Sequence, residues 1–96
     1  MRRLCINKEM SRRLGECRPQ LSRDAMIRFR VGLRDDLENR YHLYRSWRHP
    51  ADQRFFLYSL PVADGALLHR FSFVIDDSTS PDDLFIMDFK HQCDPA

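Results

Sequence analysis

Arg70 and His91 are the side chains whose types and placement best suit chemistry. They lie within LLHRFSFVIDDSTSPDDLFIMDFKH (residues 67–91), two apolar runs joined by an acidic turn. An arginine on a strand can hold a phosphate through two parallel hydrogen bonds, and a histidine can move a proton near neutral pH. Together they suit RNA cleavage by attack of a 2′-hydroxyl on its own phosphate. The arginine would stabilise the phosphorane charge and the histidine would protonate the leaving oxygen. That chemistry needs both groups on one face of the sheet. A last hairpin closing around Ser78–Pro81 pairs Ile75 with Leu84, Phe73 with Ile86 and Arg70 with Phe89, leaving His91 diagonal to Arg70 on the same face. An earlier hairpin closing around Pro61–Ala66 pairs Leu57 with Arg70 and Phe55 with Ser72. One face then carries Phe56, Tyr58, Leu60, His69, Phe71, Phe73, Ile75, Leu84 and Ile86, apolar enough to be covered by helices. The other carries Phe55, Leu57, Arg70, Ser72, Val74, Phe85, Met87, Phe89 and His91.

Three further groups could act. Arg45, Trp47 and Arg48, with Arg54 nearby, combine an aromatic ring with cations, which suits stacking and phosphate contacts on single-stranded RNA; Trp47 as a core anchor with solvated arginines is the competing reading. Lys90 adds a cation beside His91. Asp76, Asp77, Asp82 and Asp83 crowd one turn; their spacing fits no divalent-cation loop, so a solvated turn is expected. Cys5, Cys17 and Cys93 form neither a disulfide framework nor a paired zinc motif.

The elements that must position these groups are legible from periodicity. Arg3 to Ile6 reads as an edge strand. Asn7 can cap a helix over Lys8–Cys17 that ends at Pro19. Ser22 caps a second helix with Asp24 in its first turn and an apolar stripe of Met26, Phe29, Leu33 and Leu37. Tyr41 to Trp47 reads as a strand or an irregular arm. Strands are expected at 53–60, 67–75 and 84–89, with a turn over Pro61–Gly65. The order gives a single α+β domain over residues 1–96, an N-terminal helical hairpin packed on a three- to four-stranded antiparallel sheet.

Composition sets the outer limits. Ninety-six residues with seven Phe, three Tyr and one Trp suit one compact core rather than a disordered chain. Residues 1–54 hold fourteen basic and seven acidic side chains, residues 55–96 two and seven, for a formal net charge of +2. That asymmetry permits a polyanion on one surface and a basic partner on another. No apolar run is long enough to span a membrane, and the charged start has no signal-peptide core, so a cytoplasmic protein is expected.

The run His69-Arg70-Phe71-Ser72-Phe73-Val74-Ile75-Asp76-Asp77, an apolar strand and then Lys90-His91 resembles the C-terminal half of RelE/ParE-superfamily toxins, particularly the YoeB-like branch. The resemblance spans roughly residues 53–91, the helices matching in order only. It implies a RelE-like domain and a toxin-type endoribonuclease that cleaves mRNA, often on the ribosome, without a metal or cofactor. It also implies a cognate antitoxin protein as partner. Carried over by position, Arg70 contacts the phosphate, His91 is the general acid, and the carboxylate base falls at Asp52, with Glu38 a poorer match. Arg45, Trp47, Arg48, Arg54 and Lys90 would hold the RNA. The related ParE branch supplies the alternative: the same fold as a non-catalytic protein-binding module, acting on gyrase or another nucleic-acid machine.

Overall fold

The computed structural model describes residues 2–96. In chain order the elements are β1 (Arg3–Cys5), α1 (Lys8–Cys17), α2 (Arg23–Arg34), α3 (Tyr41–Tyr44), β2 (Phe55–Asp64), β3 (Leu67–Asp76) and β4 (Asp83–Pro95). The class is α+β, as expected. The sheet has four strands in the order β1-β4-β3-β2. It is mixed rather than antiparallel, because β1 runs parallel to the start of β4.

The helices begin where their caps place them. Asn7 Oδ1 accepts the Met10 N–H at 2.8 Å, and Ser22 Oγ accepts the Ala25 N–H at 3.1 Å. Pro19 sits in a 3₁₀ turn over Arg18–Gln20 that separates α1 from α2. The second helix ends in a wide π turn over Asp35–Asn39. Tyr41–Tyr44 is a short helix, where a strand or irregular arm was expected.

One core lies between the helices and one face of the sheet. Phe29, Leu33 and Leu37 meet Phe56, Tyr58, Phe71, Phe73, Ile75, Leu84, Ile86 and Phe89 there, all buried. Phe29 packs on Phe71 with ring centroids 4.4 Å apart, and Tyr58 on Phe73 at 5.9 Å. Gly32 lets α2 approach the sheet, since a Cβ at that position would stand 3.4 Å from Leu60 Cδ1.

The strand registers differ from those expected, and the difference decides what shares a face. Strand β2 runs on through Pro61 to Asp64, and the turn is only Gly65-Ala66, with Gly65 at φ +61°. Leu57 therefore pairs with Val74 and Pro61 with Arg70. That slip is of four residues, so the faces of β2 survive it. In β4 the slip is odd. Ile75 pairs with Ile86, but Val74 pairs with Asp88, leaving Met87 as the extra residue of a β-bulge. Before the bulge Leu84 and Ile86 face the core; after it Phe89 and His91 do.

The acidic turn is solvated at Asp82, as expected, but Asp76 and Asp77 are built into the structure. Asp76 accepts hydrogen bonds from Ser78 and Thr79. The Asp77 carboxylate takes both terminal nitrogens of Arg48, at 2.7 and 2.8 Å, and the Tyr41 hydroxyl at 2.5 Å. Its side chain is only 6% exposed. This latch ties the α3 segment to the far end of β3. Removing one partner strands the other in a poorly solvated place. Asp77→Ala is expected to cost about 2 kcal/mol, a fall in Tm on the order of 10 °C by thermal unfolding, with Asp77→Asn intermediate. Unchanged stability in Asp77→Ala would show that the latch contributes nothing net.

Candidate functional site

The expected pairing of Arg70 with His91 does not form. Cross-strand partners project to the same face of a sheet; Arg70 is opposite Gln92, and His91 is opposite Phe71. Arg70 is exposed on the open face, whereas His91 turns to the helix-covered face, its ring stacked on Phe71 at 4.6 Å. The two cannot reach one phosphodiester. The cause is the bulge at Met87, which reverses the facing of every later residue in β4.

His91 instead meets His69. His69 is fully buried, and its Nδ1 lies 2.9 Å from His91 Nε2, with the rings nearly parallel. The other nitrogen, His69 Nε2, is the one buried side-chain nitrogen or oxygen among the described residues with no hydrogen-bond partner. It faces Asp64 Oδ2 at 4.0 Å. The same oxygen accepts the Ser22 N–H at 2.7 Å, at the start of α2, and that bond helps hold the Asp64 carboxyl below its usual range. Burial, and secondly the proximity of His69, push the His91 pKa down. His91 lines a shallow open cleft over β4 with Arg13, Glu16, Cys17, Gln20, Phe89 and Lys90. Arg13 is engaged there: it donates to Asp88 Oδ1 and to the Phe89 carbonyl, both at 2.7 Å, and lies over the Phe89 ring. Lys90 is exposed and forms no ion pair among the described residues.

The other expected site residues scatter. Asp52 is in the loop before β2, and hydrogen bonds from the Arg54 side chain and backbone push its pKa down to about 2. So acidic a carboxylate is a weak base, and it sits with Arg54, away from the His91 cleft. Glu38 accepts the Leu4 N–H at 3.2 Å. Arg48 is held by Asp77, and Arg54 by Asp52 at 2.6 Å.

Trp47 is not a core anchor; it is 69% exposed. Its backbone is nonetheless fixed, because its carbonyl accepts the Leu57 N–H at 2.8 Å and the His49 N–H donates to Phe55 O at 3.0 Å. The ring borders an open cleft with Tyr44, Arg48, Leu57, Tyr58 and Ser59. Arg45, two residues away, is exposed and lies 5.8 Å over the Tyr41 ring.

His69 and Asp64 were not singled out from sequence. One signal was present: strict alternation from Leu84 and Ile86 would put Asp88 and Lys90 into the core, so the phase of β4 had to break.

No protein-family model matches the chain, and no curated protein or solved structure shows significant similarity to it.

Because the His91 pKa is depressed in the fold, the unfolded chain binds the proton more readily. Stability from this group is full above the ordinary histidine value and is lost as pH falls toward the folded value. Thermal unfolding of the wild type is expected to drop between pH 7.5 and 5.5, with a smaller drop for His91→Gln. Equal drops in the two proteins would remove His91 as the source.

Proposed function

We propose that this protein is a toxin-type RNA-binding protein that holds single-stranded RNA on the Trp47 surface. The observation that carries the reading is the exposure of the chain's one tryptophan on a backbone fixed by strand pairing, with an exposed Arg45 two residues earlier in the chain. A rigid exposed ring offers a stacking platform to any base, and nearby cations attract the phosphates. The endoribonuclease activity implied by the RelE/ParE resemblance then rests on His91 and Lys90, which share a cleft, and not on Arg70. The antitoxin implied by the same resemblance has a groove available between α1 and α2. Leu14, Met26 and Phe29 floor it, and Arg18, Arg30 and Arg34 rim it without an ion pair among the described residues. An acidic amphipathic segment would complement that groove in both apolar surface and charge.

The separation of Arg70 from His91 favours a second reading, the same scaffold as a non-catalytic binding module of the ParE kind. One set of variants decides between them. Single-stranded RNA is expected to quench Trp47 fluorescence, and Trp47→Ala to weaken binding about tenfold or more. Inducible expression with mapping of mRNA ends is expected to show cleavage that His91→Gln abolishes and Arg70→Ala retains. Growth inhibition without new mRNA ends, unchanged by His91→Gln and Arg70→Ala, would support the non-catalytic reading. No quenching and no binding would end the RNA proposal.

A further inference from the structure

We propose that Asp64, His69 and His91 form a proton relay whose working end is Nδ1 of His91, a base presented to a nucleophilic hydroxyl in the cleft beside Lys90. The identity of that hydroxyl, the 2′-hydroxyl of RNA, rests on the reading above; the relay itself does not.

The 2.9 Å contact between His69 Nδ1 and His91 Nε2 requires one proton between them. With both rings neutral, if His69 Nδ1 carries it, His69 Nε2 is a bare lone pair, fully buried and pointed at a carboxylate 4.0 Å away. That arrangement is repulsive. If His91 Nε2 carries the proton, His69 Nε2 carries its own and presents it to the carboxylate, which is attractive even beyond hydrogen-bonding distance. Asp64 therefore selects the second arrangement. It leaves His91 Nδ1 unprotonated. Nδ1 makes no hydrogen bond among the described residues and is not one of their buried unpartnered atoms, so solvent reaches it.

The surroundings agree with a base. His69 is the titratable group that β3 brings against His91, while α1 presents Arg13, Glu16 and Cys17 and β4 presents Lys90. Arg13 is neutralised by Asp88, and Glu16 by Arg12. Lys90 is the cation left to meet a phosphate. In cleavage, Nδ1 takes the 2′-hydroxyl proton, the 2′-oxygen bonds to phosphorus, and the bond to the 5′-oxygen breaks. The departing oxygen takes a proton from water, and His91 returns its proton to solvent. His69 and Asp64 act through His91 and are positioning residues, not catalytic ones.

Ring-nitrogen NMR of the wild-type chain at pH 7.5 tests the relay without any activity. The expected result is protonated Nε2 on both His69 and His91. A His69 protonated on Nδ1 would overturn the proposal. Asp64→Asn retains an acceptor for the Ser22 N–H and removes the charge that selects the tautomers, so it is expected to lower the His91 titration midpoint. A midpoint that rises or stays put overturns the relay. Should the tautomers come out as expected while wild-type protein leaves RNA uncut, the cleavage reading fails and the relay stands.

Discussion

The structure depends on a break of phase in β4. Side chains alternate along a strand, and the core face already claims Leu84 and Ile86. Continuing the alternation would bury Asp88 and Lys90 and leave Phe89 in water. Burying two charges that are not partners costs far more than a local irregularity in the ladder. The bulge at Met87 resolves this by inserting one residue. Phe89 enters the core, its exposure falling to 4%. Two residues on, His91 lands against Phe71 and His69. The same event leaves Lys90 on the other side from His91 in the pleat, yet still at the cleft, because β1 pairs only with the first residues of β4 and the strand beyond is an edge.

The second constraint is electrostatic, and it changes the meaning of the charge asymmetry. A basic first half and an acidic second half suggest two external partners. In the fold much of that asymmetry closes on itself: Arg3 with Asp83, Arg13 with Asp88 and Arg48 with Asp77 each join the two halves. The exposed pairs contribute little. The Arg48–Asp77 pair, with Tyr41 as a third member, is shielded enough to fix where the α3 segment lies. The cations left without an acid are the informative ones. Arg18, Arg30 and Arg34 border one apolar groove, Arg45 lies over Tyr41 two residues before Trp47, and Lys90 accompanies His91.

Local signals in the sequence were reliable where a short-range interaction enforces them. Asn7 and Ser22 mark helix starts because each supplies an acceptor to an otherwise orphaned N–H. Phe29, Leu33 and Leu37 mark a buried helix face because only that spacing lines up on one side. Pro61 misled, since proline usually ends a strand. Here it sits on the edge strand β2, where its missing N–H faces no partner strand. Register was the harder quantity. An even slip preserved the faces of β2, but the odd slip in β4 regrouped the candidate site. His69 read as one more residue of an apolar face, and nothing local distinguished it from a filler of the core until His91 arrived beside it.

The two candidate surfaces stand on opposite edges of one sheet. Trp47 borders β2, and His91 belongs to the free edge of β4. Both sites use the same device: a side chain left accessible on backbone that strand pairing immobilises. Rigidity of this kind lowers the ordering cost of an encounter, and it explains why a small domain can carry functional groups without long loops. The β2 edge is further blunted by the Trp47–His49 segment at its start and by Pro61 beyond it, which guards against strand addition from another chain. What remains open at that edge is a ring, not a row of amides. The fold thus steers that edge away from β-type association and toward contacts made by side chains.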